Sequence, residues 1–156
     1  MTIQVIIDIP KGSRNKYEFD KEIGRIKLDR VLSSSVAYPV DYGFIPGSHA
    51  EDGDPLDVLL IIRFPTFPGC SVDARPIALM EMIDTGENDE KIIVVPEKDP
   101  YFASWKDLAD IPESLRKEIN EFFATYKNLE PGKRVEIKGW KDAKAAEEMI
   151  KKSMNL

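Results

Sequence analysis

Hydrophobic and polar positions alternate in short runs along the first two thirds of the chain, and then the period lengthens. Residues 2–9, Thr-Ile-Gln-Val-Ile-Ile-Asp-Ile, form an apolar run closed by Pro10. That pattern predicts a strand with one acid inside it, Asp8. Lys11-Gly12-Ser13-Arg14 predicts a turn. Asn15-Lys16-Tyr17-Glu18-Phe19-Asp20 has period two, which puts Lys16 and Glu18 on one face and Tyr17 and Phe19 on the other. Ile23-Gly24 marks a hairpin turn, and Arg25-Ile26-Lys27-Leu28-Asp29-Arg30 alternates again. Residues 33–49 show neither period and predict a loop containing Tyr38-Pro39 and Tyr42-Gly43. Residues 58–62, Val-Leu-Leu-Ile-Ile, predict a buried strand. Residues 71–83 predict a long one, in which Pro76 requires an edge or a bulge. Residues 84–91 predict an acidic loop before a further strand, Ile92-Ile93-Val94-Val95.

After residue 100 the period becomes helical. Asp110-Ile111-Pro112-Glu113 has the spacing of a capping box, with Asp110 at the N-cap and Glu113 three residues on. Leu115, Ile119, Phe122, Phe123 and Tyr126 then make one apolar stripe. Glu130-Pro131-Gly132 ends that unit, residues 134–138 predict a strand, and Asp142 is placed to cap a closing helix over 143–153.

Chemistry enters at Asp52-Gly53-Asp54-Pro55-Leu56-Asp57, where three carboxylates fall within a Gly- and Pro-bent segment that feeds the apolar run at 58–62. Like charges this close repel in a partly buried site, so the segment asks for a positive charge among them. Hard oxygen donors favour Mg²⁺, Mn²⁺ or Ca²⁺. A solvated Asp/Gly/Pro turn is the plainer reading, but it leaves an Asp heading a hydrophobic strand unexplained. An EF-hand loop counted from Asp52 requires Gly at its sixth position and Glu at its twelfth, where this chain has Asp57 and Arg63. The second acidic segment, with Asp84 and Asp89, also feeds an apolar strand, so the two segments together suggest one shared metal cluster.

The chain has 156 residues, 42% hydrophobic and 32% charged, with a net charge of −6. That size and balance suit one globular domain over residues 1–156. The acidic balance argues against a nucleic-acid surface, which needs a basic stripe. A single Cys70 forms no intrachain disulfide, and His49, the only histidine, has no second His or Cys near it and reads as a surface residue. With no signal-peptide pattern and no run of transmembrane length, a cytoplasmic protein without membrane contact is expected.

The Asp52 to Asp57 segment, followed by Val58, resembles the signature of the soluble inorganic pyrophosphatases of family I. The resemblance extends along nearly the whole chain: Lys16-Tyr17-Glu18, Asp29-Arg30, Tyr38-Pro39, Tyr42-Gly43, Asp84 with Asp89 and Lys91, Phe122-Phe123 with Tyr126-Lys127, and Gly139-Trp140. It implies an α+β fold, a five-stranded OB-type β-barrel with flanking C-terminal helices. It also implies Mg²⁺-dependent hydrolysis of pyrophosphate to two phosphates by a metal-activated water, with several ions per site, in a homo-oligomer, normally a hexamer. Carried over by position, Asp52, Asp57 and Asp89 bind an activating metal pair, Asp84 and Asp89 a metal arriving with substrate, and Glu18 a further one. Asp54 is the expected general base, with Asp89 the alternative. Lys16, Arg30, Tyr42, Lys91, Tyr126 and Lys127 are expected to hold the phosphoryl groups. Where most members have Glu after the first apolar run, this chain has Asp8, expected to reach the cluster through a water. Two other readings stand beside this one: an OB-type oligonucleotide-binding module, which would want a basic groove with stacking aromatics, and a two-metal phosphoesterase for larger substrates.

Overall fold

The computed structural model describes residues 1–155. Eight strands and two α-helices run in the order β1 (Ile3–Ile9), β2 (Asn15–Asp20), β3 (Arg25–Val31), β4 (Asp41–Phe44), β5 (Asp57–Leu60), β6 (Ser71–Asp84), β7 (Glu87–Pro96), α1 (Glu113–Thr125), β8 (Val135–Lys141) and α2 (Ala143–Ser153). Six strands form one mixed sheet in the order β1-β4-β5-β7-β6-β8, and β1 pairs with β6 as well. β5 and β7 run parallel; the other pairs are antiparallel. Among the described residues, β2 and β3 pair only with each other, as a separate hairpin. Among the described residues, no helix is long and apolar enough to cross a membrane.

The unbroken apolar runs of β5 and β7 follow from burial on both faces. Leu59, Ile93 and Val95 pack with α1 through Ile119, Phe122 and Phe123. Their neighbours Val58, Leu60, Ile92 and Val94 face the other way and pack with Ala146 and Ile150 of α2. Asp142 caps α2 as its spacing predicts, accepting a hydrogen bond from Ala145 N.

Three expectations need correction, and the choice left open at Pro76 is decided. Residues 41–44, within the predicted loop, are strand β4; Gly43 breaks the apolar alternation there because it passes close to β1. The second acidic segment is not a loop, since β6 and β7 continue to a two-residue turn at Thr85-Gly86, both with positive φ. Asp84 and Asp89 therefore stand on strand arms. Pro76 marks a bulge, not an edge: the register shifts between Pro76 and Ala78, while β6 pairs with β1, β7 and β8. The capping box belongs to a 3-10 turn, Leu108–Asp110, closed by Asp107 and Asp110, and α1 starts after Pro112 with no side-chain cap.

A Cβ at Gly43 would lie 2.0 Å from the carbonyl oxygen of Ile6, a backbone atom that cannot swing aside. Gly43→Ala should cost about 3 kcal/mol, the upper part of the overpacking range. Urea denaturation of the metal-free protein measures it, and an unmoved midpoint would mean that β1 and β4 can separate locally at no cost.

Candidate active site

The site lies where β4, β5 and β7 present one face toward α1. Asp57 opens β5 and is the parallel-register partner of Lys91 on β7. Asp89 sits two residues before Lys91, so its side chain leaves the strand on the same side. Tyr42 comes from β4, next to β5. The Lys91 ammonium bonds to Asp57 Oδ2 at 2.6 Å, Asp89 Oδ1 at 2.9 Å and the Tyr42 hydroxyl at 3.1 Å, and the residue is only 2% exposed. Three acceptors satisfy its three donors. A second lysine, Lys127 just after α1, is paired to Asp84 on β6. Tyr126 caps α1 and packs on Phe122 and Phe123 with ring centroids 5.2 and 5.4 Å apart.

The loop before β5 is a tight turn. Asp52 Oδ1 accepts from Asp54 N at 2.9 Å, Ala50 N donates to Asp54 O, and Gly53 takes the left-handed φ of +86° that glycine tolerates. The solvated-turn reading is thus correct for Asp52's local role, yet both acids face the same cavity as Asp57. Ser48, buried, holds the loop to its strand by donating to Ile45 O and accepting from Leu56 N. Asp8 occupies a bulge: β1 and β4 lose register between Ile7 and Ile9, leaving Asp8 as the extra residue. Bulges re-aim side chains beside active sites.

One cavity of about 300 Å³ is lined by Asp8, Glu18, Asp52, Asp54, Asp57, Asp84, Asp89 and Glu90, by Lys16, Lys91 and Lys127, and by Tyr42 and Tyr126. Every site residue predicted from sequence lines it except Arg30. That guanidinium pairs with Glu130 and Asp29, standing opposite Lys16 in the β2–β3 register. Sequence reasoning missed Glu90 and Asn88 in the cavity, and Thr85, Glu87 and Lys133 in an adjoining one of about 320 Å³. Asn88 and Glu90 lie inside the acidic segment and could have been found from it. Lys133 follows the Pro131-Gly132 turn with no local signal.

Crowding shows in the protonation of these groups. Asp8 is raised from 3.8 to about 7 by burial, with Asp57 and Glu18 adding to it and Lys16 opposing. Burial, helped by Asp57 and Asp84, raises Asp89 despite its bond to Lys91. Burial would likewise raise Asp84, but the Lys127 ammonium and the Thr85 hydroxyl outweigh it and the net shift is downward. Lys16 is lowered by burial and by the nearby Arg30 and Lys127. Burial alone would lower Lys91, yet Tyr42, Asp57 and Asp89 reverse that and hold it well above the ordinary range. Burial keeps Tyr42 and Tyr126 protonated as hydrogen-bond donors.

Eight carboxylate residues against three lysines leave a deficit of positive charge, and all the acids are hard oxygen donors. The donor chemistry therefore fits divalent cations of the Mg²⁺ type. Among the described residues no three acidic side chains converge into a ready-made ligand set. Asp57 and Asp89 turn to Lys91 instead, and Asp84 to Lys127.

Comparison with known proteins supplies the family. Residues 5–156 match the family model described as inorganic pyrophosphatase. The chain belongs to the inorganic pyrophosphatase family. The inorganic pyrophosphatase of Haloferax volcanii is 54% identical over 154 residues, covering 99% of this chain and 87% of its own. That of Synechocystis is 57% identical over 143 residues, covering 92% and 84%. The crystal structure of inorganic pyrophosphatase from Thermus thermophilus superposes with a TM-score of 0.97 at 45% identity, over 99% of this chain and 90% of that one. Among inorganic pyrophosphatases of this family, then, the α+β arrangement of a mixed sheet with two helices is shared.

Asp8 gives the site a pH signature. In the metal-free protein between about pH 4 and about pH 7, the folded state keeps a proton on Asp8 that the unfolded chain has released. The folded state binds more protons, so stability falls as pH rises through that window. Asp8→Asn should flatten the part of the slope due to this residue. Urea midpoints of both proteins in chelator across the window measure it; identical slopes would mean Asp8 is ionised throughout.

Proposed function

We propose that the protein hydrolyses inorganic pyrophosphate to two phosphates, with Mg²⁺ as the activating metal and several ions per site. The observation that carries this reading is the single cavity in which eight acids meet Lys16, Lys91 and Lys127. An anion as charged as pyrophosphate would be repelled by those acids unless cations intervene. Divalent metal, when bound, supplies Lewis acidity toward the phosphoryl oxygens and toward an attacking water. Asp52, Asp57, Asp84, Asp89 and Glu18 are the residues proposed to hold it, with Asp8 acting through a water.

The chain's own groups carry the remaining roles. Asp54, exposed at the tip of the turn, is proposed to take the proton of the attacking water, with Asp89 the alternative. Lys16, Lys91 and Lys127 place positive charge against the phosphoryl oxygens, where charge builds up in the transition state. Tyr42 and Tyr126 donate hydrogen bonds without adding charge. Arg30, at the edge beside Lys16, offers a planar fork to a terminal phosphate once it leaves Glu130.

The strand circuit β1-β4-β5-β7-β6, which returns to β1, supports reading the chain as one domain on a five-stranded OB-type barrel. A homo-oligomer, a hexamer, and a cytoplasmic location without nucleic-acid or membrane partners complete the proposal. Phe64 and Phe67, 72% and 64% exposed, are apolar surface available for such assembly.

The deciding experiment measures phosphate release from pyrophosphate, ATP and a phosphomonoester, each with Mg²⁺ and with chelator. Release from pyrophosphate alone, and only with Mg²⁺, is expected; undiminished release after chelation would sink the metal role, and preference for ATP would favour a broader phosphoesterase. Asp57→Asn and Asp89→Asn should each lower kcat by about 10²-fold or more while remaining folded. Asp54→Asn should depress kcat more than Mg²⁺ affinity. The reverse split would make Asp54 a ligand.

A further inference from the structure

The Lys91 ammonium occupies a place that the proposed function also wants for metal. Its three donors are spent on Asp57, Asp89 and Tyr42. It stands over the Tyr42 and Phe123 rings, 5.1 and 5.9 Å from their centroids. Asp57 and Asp89 come from adjacent parallel strands locked in register, so they cannot spread apart to relieve their repulsion. Lys91 relieves it for them. A dication approaching these two carboxylates meets a positive charge already bonded to both, and the two cations repel at such range. Lysine has a flexible four-carbon stem on a compact charge, so it can give up these bonds without moving the strand.

We propose that Lys91 is a built-in counter-ion that divalent metal displaces from Asp57 and Asp89, and that the released ammonium is thereby delivered to the phosphoryl groups. This rests on the metal assignment above. Metal loading then does two things at once. It replaces one positive charge on the acids by two, and it frees an ammonium in a cavity that already holds Lys16 and Lys127. Each dication moves the balance of eight acids against three lysines two charges toward the positive, and the freed ammonium is then available to an anion. In the metal-free protein the same lysine offsets one of the two negative charges and is itself held away from anions. A lysine that merely stabilises the fold would not set metal affinity; a lysine that merely binds phosphate would not touch it in the absence of an anion.

The test is calorimetric titration of Mg²⁺ alone, without any phosphate, into the parent, Lys91→Gln and Lys91→Arg in alkaline buffer. Removing a competing charge at contact distance should tighten Mg²⁺ binding by about tenfold or more in Lys91→Gln. Lys91→Arg, which keeps the charge, should bind as the parent does or more weakly. Equal or weaker binding in Lys91→Gln, or equal tightening in both variants, overturns the proposal. If Lys91→Gln does not fold, the parent is labelled with ¹³C-lysine and the resonance missing from Lys91→Arg is followed: it should shift on Mg²⁺ addition and saturate with the calorimetric Kd, and no shift of that resonance overturns the proposal. A parent that binds no Mg²⁺ at all would instead overturn the metal assignment on which the proposal stands.

Discussion

Like charge held in place by a rigid sheet is the constraint on which this structure turns. Asp57, Lys91 and Asp89 are fixed by the parallel register of β5 and β7, and that register is fixed by apolar packing on both faces. A strand buried on both sides cannot slip by one residue without turning its core outward. The carboxylates therefore cannot move apart. Their repulsion has to be met by a cation, by a proton or by both. Lys91 meets it at Asp57 and Asp89, Lys127 meets it at Asp84, and a proton meets it at Asp8.

The same logic explains residues that never touch the cavity. Asp41 is fully buried and accepts from Lys11 N at 2.6 Å and from Thr66 N and Oγ1 at 3.0 and 2.6 Å. A buried carboxylate this well satisfied ties the turn after β1 and the loop after β5 to β4, beside Tyr42. Ser48 does the like for the loop before β5. On the other side, Tyr38 packs on Phe122 with centroids 4.6 Å apart and Phe122 on Phe123 at 4.9 Å. This aromatic stack carries the C-terminal end of α1, and with it Tyr126 and Lys127, against the sheet. Aromatic pairs of this kind stabilise beyond the area they bury, which helps hold α1 against a sheet that carries a crowded charge cluster.

What could be read in the sequence was whatever depended on short-range pattern. The apolar runs of β5, β7 and α1, the cap at Asp142 and the period-two hairpin all express local periodicity, and the structure has them close to where the pattern put them. β4 was hidden because its four residues include Gly43, whose lack of a side chain is dictated by Ile6 across the sheet, not by its neighbours in sequence. The Asp84 to Lys91 segment looked like a loop because acids dominate it, although strand pairing continues almost to its tip. The Asp110 box was misassigned because a 3-10 turn and an α-helix ask for the same capping chemistry. The candidate site residues came from the family resemblance, and the structure gathers all but Arg30 into one cavity. What no local pattern carried was the pairing within it: that Lys91 answers Asp57, that Lys127 answers Asp84, and that Glu130 holds Arg30 aside.

Asp8 shows how far a single insertion in register can reach. On a regular strand, a residue between two buried ones points away from the core, and Ile7 and Ile9 are both fully buried. A regular strand would also put Ile7 and Ile9 on one face; with the bulge between them they enter the two different core clusters, while the acid faces Asp57 and Glu18. The side chain is short, so the backbone does the reaching. Because its neighbours are acids, its charge depends on what else is in the cavity, and a cation arriving there would draw the proton off. Asp8 and Lys91 are thus two answers to one excess of negative charge. The acid contributes its charge only when a cation is present, and the lysine offsets part of the excess at Asp57 and Asp89 until one is.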